Sequence, residues 1–499
     1  MKKILFPLFL CLAPYLFAQN KIEVKSQVAD AIGELREFVA IPNDALDGDD
    51  MYRNLMWLKR KFGERNFNTA ELSTDNLPLF FAATPVNNEK PTVLIYMHFD
   101  GQSVDPSQWE QEDPYKVVLK APEGNGFKAL SFGEMGDDID YDWRLFGRST
   151  SDAKGPIVAF LNAMDLLQKD GKEIPFNIKL LLDGEEEKGS VPLAGAVDRY
   201  RELLQADFLM IVDGPLHSSG APTLVYGCRG ITSLELTVHG ASRPLHSGHY
   251  GNYAPNPAFQ LAHLLTGMKD ADGRVTIPGY YQGIVLDSMD LAMLGSVPHN
   301  AVEIGEQLQF RSPEKVGGSL QESLQYPSLN IRGLQSAWVG ERARTIIPAT
   351  ATASLDLRLV METDGEHLKN LVREHIEKQG FTVLDHVPSK EERLAHDKIV
   401  TLEQGTVTPA FRTDPQNPYG KFLLQNLSAT FDREVVQIRT MGGTVPTAHL
   451  VRALDIPALI VPMVNHDNNQ HAPNENIRIG QLAYGIKMFH GILSSTPNP

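Results

Sequence analysis

The chain has very little cysteine: Cys11 and Cys228 are the only two among its 499 residues. Two thiols can form at most one disulfide, and they cannot supply the three or four thiolates of a Cys₃His or Cys₄ zinc site. A metal bound to this protein would therefore be held mainly by His, Asp and Glu side chains. Its stability must come from core packing or from such a metal.

Basic residues are also scarce relative to acidic ones, with 46 Lys and Arg against 62 Asp and Glu and a net charge of -16. This balance argues against nucleic acid or an anionic membrane surface as a partner. The sequence also lacks an HExxH motif, which argues against a single-metal peptidase built on one helix. At 499 residues the chain exceeds what one hydrophobic core usually supports, so we expect two domains.

The first residues, "MKKILFPLFLCLAPYLFAQN", combine Lys2 and Lys3 with an apolar stretch and a small residue, Ala18. This pattern predicts a secretory signal peptide over residues 1–18. The apolar stretch is shorter than the roughly 20 residues that a membrane-spanning helix needs. We therefore expect an exported protein, periplasmic or secreted, that has no membrane span after cleavage and keeps only Cys228.

Short apolar runs recur along the chain, and each one ends at polar residues that could bind a ligand. "TVLIYM" precedes His98, "FNIKLLL" precedes an acidic cluster, and "DFLMIV" precedes Asp213. The first two runs are separated by a stretch with helical periodicity over about 157–168. Such runs, separated by helices, predict a buried and mostly parallel sheet in an α/β fold. Ligands bind such sheets beyond the carboxyl ends of the strands.

The middle of the chain follows another pattern. Residues 232–240 and 350–360 alternate apolar and polar side chains, as half-exposed antiparallel strands do. Residues 257–268 and 365–380 have the periodicity of amphipathic helices. We therefore predict an inserted α+β domain over 231–413, for a lid or for dimerisation. It would interrupt a catalytic domain formed by 19–230 and 414–499.

The residues that could carry chemistry stand mainly at the ends of the predicted strands or in loops. They are His98, Asp100, Asp152, Glu186, Glu187, Asp213 and His471. Taken singly, each has a structural explanation: a hydrogen-bonded histidine, a solvated acidic turn, or an acid favoured at a helix start. Together they supply enough imidazole and carboxylate ligands for two ions of zinc, manganese or cobalt, with one ligand shared.

The ordered segments "HFDG", "GRSTSDAKGP", "DGEEEKGS", "VDG" and "HAPNEN" resemble those of the zinc-dependent aminoacylase and dipeptidase family. The likeness is to its carnosinase-like dipeptidase branch and extends over about 32–493. Further matching segments are "WEQEDPY", "YGCRGI", "PLHSGHYGNYAPNPA", "RTIIPATATASLDLRLV" and "MGGTVP".

The resemblance implies a role for each candidate. His98 and Asp213 would bind one metal ion, Glu187 and His471 would bind the other, and Asp152 would bridge the two. Asp100 would orient His98, and Glu186 would be the general base. Glu185, at a position that is often apolar in the family, would have no part in the chemistry.

The resemblance also implies residues that bind substrate. His246 matches a histidine that reaches the active site from the partner subunit of a homodimer; the alternative is that it merely packs in a loop. Arg358 would pair with the carboxylate of the substrate, unless it is a sheet-edge residue in a surface ion pair. Thr345, Gly443 and Thr444 match positions that contact substrate. Thr444 replaces a frequent serine, and Ala153 stands where many relatives carry a second acid.

These residues predict an enzyme that hydrolyses dipeptides or short peptides with a free C-terminal carboxylate, using two divalent ions per subunit, most simply zinc. An N-acyl amino acid deacylase with the same metal centre is the alternative enzyme. A peptide-binding protein without activity is a third possibility, although it should have lost a ligand or the base, and none is missing here.

Overall fold

A computed structural model describes residues 22–136, 139–298 and 301–497. The predicted signal peptide, residues 1–18, lies outside the described residues. None of the helices in these three ranges combines the length and the apolar character needed to cross a membrane.

The helices are numbered in chain order through the described ranges. They are α1 (Lys25–Val39), α2 (Gly48–Glu64), α3 (Lys154–Lys169), α4 (Leu193–Arg199), α5 (Arg201–Leu204), α6 (Ser247–Tyr250), α7 (Pro257–Thr266), α8 (Ser288–Ser296), α9 (Ala301–Leu308), α10 (Leu320–Ser323), α11 (Gly365–Lys378), α12 (Lys390–Ala395), α13 (Pro418–Phe431), α14 (Ala448–Leu454) and α15 (Ile479–Leu493). Short 3-10 helices lie at Pro106–Gln108, Phe132–Met135, Glu186–Lys188 and Gly340–Arg342.

The strands are numbered in the same way. They are β1 (Asn68–Leu72), β2 (Leu79–Ala83), β3 (Thr92–His98), β4 (Val118–Glu123), β5 (Gly126–Leu130), β6 (Arg144–Phe146), β7 (Asn177–Asp183), β8 (Phe208–Ile211), β9 (Thr223–Val225), β10 (Gly227–Cys228), β11 (Gly230–His239), β12 (Leu245–His246), β13 (Ser328–Gln335), β14 (Ile346–Ile347), β15 (Thr350–Leu359), β16 (Thr382–Leu384), β17 (Ile399–Gln404), β18 (Phe411–Arg412), β19 (Val436–Ile438), β20 (Ala458–Ile460) and β21 (Asn476–Arg478).

The main sheet has the spatial order β1-β2-β7-β3-β8-β20-β9-β19. Its centre is parallel: β3 pairs with β7 and β8, and β8 pairs with β20, all in the same direction. Strands β1 and β2 add an antiparallel edge. The predicted α/β fold with a mostly parallel sheet is confirmed, and β3, β7, β8 and α3 lie where the apolar runs placed them.

Both faces of the main sheet are buried at its centre, which explains why the central strands are apolar at successive positions. In β3, Val93, Ile95 and Met97 pack in a core with α1, α2, α3, α13 and α15. Leu94 and Tyr96 point the other way, into a second core with α4, α5 and α14. Successive strand residues face opposite sides of a sheet, so a strand covered by helices on both sides needs apolar residues throughout.

A second sheet has the order β13-β15-β11-β17-β16 and is antiparallel except where β16 meets β17. Helices α7 and α11 pack against one face, and the residues of β11 and β15 alternate between buried and more exposed positions. The period-two pattern therefore predicted these strands correctly. The predicted domain boundaries at 231 and 413 stay a prediction.

The two sheets are joined by a ribbon of two short antiparallel strands, β10 and β18, in which Cys228 faces Phe411. At Gly230, where β11 begins, a Cβ atom would lie 2.3 Å from the carbonyl oxygen of Thr408. Only glycine allows the two chain segments to approach so closely at this crossing.

A smaller sheet has the order β21-β6-β4-β5. Strand β21 is antiparallel to β6, with Asn476 opposite Phe146. This pairing brings the loop before β21, which contains His471, next to the loop after β6, which contains Asp152.

Candidate metal centre

Two of the candidate ligands are placed by neighbouring strands of the main sheet. His98 is the last residue of β3, and Asp213 follows the end of β8, which pairs with β3. The Nε2 atom of His98 lies 3.9 Å from Oδ1 of Asp213. Parallel strands bring their carboxyl ends to one edge of the sheet, so these side chains meet there, as the sequence predicts.

Asp152 lies between the two candidate histidines. Its Oδ1 is 2.9 Å from Nε2 of His98, and its Oδ2 is 3.1 Å from Nε2 of His471. The peptide bond between Asp152 and Ala153 is cis. A Cβ atom on Gly101 would lie 2.2 Å from Oγ of Ser149, so the glycine lets the turn after β3 approach the loop that carries Asp152.

The candidate ligands form two groups that share Asp152. The first ligand group is His98, Asp152 and Asp213, and the second ligand group is Asp152, Glu187 and His471. In each group the ligand atoms all lie within 4.8 Å of one another. Ligands of a tetrahedral ion with bonds of about 2 Å are about 3.3 Å apart, so this spacing and this mixture of nitrogen and oxygen donors fit a small divalent cation.

Asp100 holds both His98 and the turn that carries the glutamates. Its Oδ1 lies 3.3 Å from Nδ1 of His98, and its two oxygens accept the backbone N–H groups of Glu186 and Glu187 at 3.2 and 3.0 Å. A proton on Nδ1 leaves Nε2 of His98 as the nitrogen that faces Asp152 and Asp213, which suits a metal ligand.

Hydrogen bonds between the candidate ligands oppose the effect of burial on the pKa of His98 and of Asp152. Burial by itself would lower the pKa of His98, but hydrogen bonds to Asp100 and Asp152 raise it well above its usual value. Burial would raise the pKa of Asp152, but hydrogen bonds from His471 and His98 hold it below its usual range.

In two glutamates, by contrast with Asp152, the pKa is raised. Burial, together with the charge of Asp152, raises the pKa of Glu187 to about 7. Burial and the charges of Asp213, Glu187 and Asp152 raise the pKa of Glu186 well above its usual value, although His98 opposes this. A divalent cation between the carboxylates would offset their repulsion and favour the deprotonated forms, so the electrostatics also fit a metal.

Glu185, the first of the three adjacent glutamates, has a different environment. Its carboxylate is buried and accepts the backbone N–H of Leu77 at 3.1 Å and the side-chain amide of Asn76. It therefore fixes the connection between β1 and β2, which gives this acid a structural role.

The candidate substrate residues Arg358 and Thr444 lie together. Nη1 of Arg358 donates to Oγ1 of Thr444 at 2.9 Å, and that hydroxyl donates to the carbonyl oxygen of Arg229 at 2.7 Å. Gly443 precedes Thr444 in an exposed part of the same loop. Arg358 is not a sheet-edge residue, because β15 lies between β13 and β11, and its ion pair with Asp356 is long at 3.7 Å.

His246 and Thr345 form a separate pair in an exposed region where the short strands β12 and β14, which are far apart along the chain, pair in antiparallel fashion. His246 faces Ile346, and the N–H of Ser247 donates to the carbonyl oxygen of Thr345 at 3.1 Å. Within the described ranges, no hydrogen bond or ion pair joins His246 to either ligand group.

Two residues at the centre escaped the sequence analysis. Gln102 donates from Nε2 to Oε2 of Glu187 at 2.7 Å. Glu475 binds the backbone of the loop that carries Asp152. Their positions, two residues after Asp100 and four after His471, were the available signals, but neither predicts the contact across the fold.

The sequence model of peptidase family M20/M25/M40 matches residues 94–495, and the chain belongs to that family. It is a metallopeptidase, a hydrolase of peptide bonds. The resemblance to the metal-dependent aminoacylase and dipeptidase family, inferred from the motifs, is thereby confirmed.

Characterised relatives are similar over most of their length. The Cys-Gly metallodipeptidase of Schizosaccharomyces pombe is 26% identical over 82% of this chain and 81% of the relative. The Beta-Ala-His dipeptidase of Mus musculus is 26% identical over 83% of this chain and 78% of the relative. Among solved structures, an M20 family metallo-carboxypeptidase from Sulfolobus solfataricus is 27% identical with a TM-score of 0.76, covering 93% of this chain and 98% of that one.

The prediction of an exported, periplasmic or secreted protein is wrong. It rested on residues 1–18 alone, which lie outside the described residues. The match to the Cys-Gly metallodipeptidases of Schizosaccharomyces pombe, Saccharomyces cerevisiae and Candida albicans, over 81–91% of this chain, contradicts it.

Proposed function

We propose that the protein is a dipeptidase that hydrolyses dipeptides or short peptides with a free C-terminal carboxylate at a centre of two divalent metal ions. The observation that carries this proposal is the pair of ligand groups that share Asp152, with the half-buried carboxylate of Glu186 beside them. A single shared carboxylate between two histidines is the arrangement a bridged two-metal hydrolase needs.

The first ligand group would hold one ion and the second ligand group the other, with Asp152 bridging. Imidazole and carboxylate donors suit zinc best, and they also accept manganese or cobalt. Bound there, the two ions would polarise the scissile carbonyl and lower the pKa of the attacking water.

Glu186 is the general base in this proposal. Its backbone N–H is fixed by Asp100, and its side chain is among the charges of His98, Asp213 and Asp152. An acid whose pKa is raised by burial can take the proton from the attacking water and then deliver it to the leaving amine. Proton transfer of this kind contributes roughly 10²- to 10⁴-fold to the rate.

Arg358 selects substrates that end in a free carboxylate. Its planar guanidinium matches a carboxylate in two hydrogen bonds, and the hydroxyl of Thr444 fixes one side of that fork. Two relatives support this choice, since one is named for Cys-Gly and the other for Beta-Ala-His, both of which are dipeptides.

The catalytic unit is a homodimer in this proposal. His246 and Thr345 lie together beside the exposed β12–β14 strand pair, and within the described residues no hydrogen bond or ion pair joins His246 to the ligand groups of its own protomer. From the β12–β14 strand pair of one protomer, they would complete the site of its partner, where His246 would donate a hydrogen bond to the oxyanion.

The proposal is tested by measuring metal content and turnover on one sample. We expect two ions per protomer by elemental analysis, together with cleavage of dipeptides that a chelator abolishes. In Glu186→Gln, both ions should remain while turnover falls by about 10²- to 10⁴-fold. Glu185→Gln is the matched control: it changes the adjacent carboxylate, which contacts Asn76 and Leu77, and should keep its turnover.

Other outcomes would change the assignment. Two ions with cleavage of N-acetylated amino acids alone would identify a deacylase. Full turnover in Glu186→Gln would remove Glu186 as the base. Absence of both bound metal and turnover, after zinc or manganese is added back, would make the chain a binding protein.

A further inference from the structure

Glu475 lies four residues after His471, and its side chain is completely buried. One carboxylate oxygen, Oε1, accepts the backbone N–H groups of Ser151 and Asp152, each at 3.0 Å. The same oxygen accepts the hydroxyl of Ser151 at 2.9 Å. Glu475 thus binds the backbone of the residue that is shared by both ligand groups.

The second carboxylate oxygen of Glu475 holds the beginning of the same loop. Oε2 accepts the backbone N–H of Ser149 at 2.9 Å and Nη1 of Arg148 at 2.7 Å. The backbone carbonyl of Glu475 also accepts the N–H of Gly147 at 2.9 Å. Five donors therefore converge on one carboxylate, and only an ionised acid accepts at both of its oxygens without presenting a donor of its own.

The loop that carries His471 needs such an anchor. Asn469, His471 and Asn474 all adopt left-handed backbone conformations, with φ of 53°, 61° and 63°. Residues other than glycine rarely adopt this backbone conformation unless surrounding contacts hold them in it. The imidazole of His471 is 54% exposed, so few packing contacts fix it. The buried carboxylate of Glu475, four residues later, holds the loop instead.

The contacts of Glu475 affect the two ligand groups unequally. The second ligand group takes both Asp152 and His471 from the two loops that Glu475 joins. The first ligand group takes only Asp152 from them, because His98 and Asp213 stand at the ends of paired strands. Loss of the Glu475 hydrogen bonds should therefore disturb two ligands of the second ligand group and one ligand of the first.

We propose that Glu475 is a positioning residue that joins the loops of Asp152 and His471 and sets the metal affinity of the second ligand group. The proposal rests on the ligand assignment in the proposed function. Residues that orient metal ligands from behind typically change metal affinity by about 10- to 100-fold when they are mutated.

The test uses the full chain stripped of metal and titrated with Co²⁺, whose visible absorption reports the geometry of each bound ion. The unmodified chain should bind two Co²⁺ per protomer. In Glu475→Gln, which keeps the shape but turns one acceptor into a donor, the affinity for one Co²⁺ should fall about 10- to 100-fold, with a changed spectrum. The weakened ion should be the one that His471→Ala also loses.

Asp467→Asn is the matched control, because it removes one negative charge from the same segment without touching the Asp152 loop. Asp467 pairs instead with Nη2 of Arg144 at 2.5 Å and accepts from Asn465. Both Co²⁺ affinities should be unchanged in this variant. If Glu475→Gln does not fold, Ser151→Ala removes a single donor from Oε1 and should weaken the same ion by a smaller factor.

Three outcomes count against the proposal. Unchanged affinities and spectra in Glu475→Gln, with only a lower unfolding temperature of the metal-free chain, would make Glu475 a purely structural residue. Unchanged affinities in Ser151→Ala, where that variant is the one that folds, would do the same. Fewer than two Co²⁺ in the unmodified chain would instead overturn the two-metal centre itself, and with it the role of Glu475.

Discussion

The two ligand groups have the same chemistry but are built in different ways. Each contains one histidine and two carboxylates, one of them Asp152. His98 is 1% exposed at the end of β3, whereas His471 is 54% exposed in a loop between β20 and β21. A buried strand end fixes its side chain by packing on all sides, while an exposed loop must be fixed from behind by hydrogen bonds. We therefore call the first ligand group, with His98, the rigid half of the centre, and the second ligand group, with His471, the anchored half.

The largest effect is expected from the residue that both halves share. In Asp152→Asn, neither group keeps its shared carboxylate, so both ions should bind far more weakly and turnover should fall by at least about 10²- to 10³-fold. Elemental analysis after dialysis and a peptidase assay measure this. Asp198→Asn, on an exposed position of α4, should change neither. One tightly held ion in Asp152→Asn would show that the rigid half does not need Asp152.

The next effect tests whether the active site is completed by a second protomer. His246→Ala should lower turnover by about 10²- to 10³-fold, and Glu186→Gln should also be inactive. When the two variants are co-expressed, random pairing makes half of the dimers mixed. Each mixed dimer has one site in which both Glu186 and the partner's His246 are intact. About one quarter of the unmodified activity should return.

His249→Ala is the control for this experiment, because the His249 ring lies 4.6 Å from that of His246 on the same segment. It should keep its activity. No recovery in the mixed sample would contradict a site completed in trans.

The smallest effect concerns the stability of the metal-free chain. His98→Ala leaves Asp100 buried without its imidazole partner, so the free energy of unfolding should fall by about 1–3 kcal/mol. His471→Ala should change it little, because that ring is largely exposed, although it should weaken one ion. Denaturant unfolding of both metal-free variants measures the contrast, and equal losses would mean that the two halves are equally rigid.

The sequence predicted the rigid half more completely than the anchored half, for physical reasons. His98 and Asp213 follow apolar runs, and the geometry of a parallel sheet brings such ends together. Glu475 and the loop of Asp152 are more than 300 residues apart along the chain, and the pairing of β6 with β21 brings them together. No local pattern encodes that contact. Glu185 likewise has its partners more than 100 residues away.

The ribbon of β10 and β18 has a mechanical consequence. A single connecting strand would act as a swivel, because rotation about one backbone bond turns everything beyond it. Two strands joined by hydrogen bonds cannot rotate independently of each other. The backbones of Gly230 and Thr408 are also in close contact where the segments cross. The five-stranded sheet is therefore tied to the main sheet through two hydrogen-bonded strands, and a change in the angle between the sheets would move Arg358 together with the rest of β15.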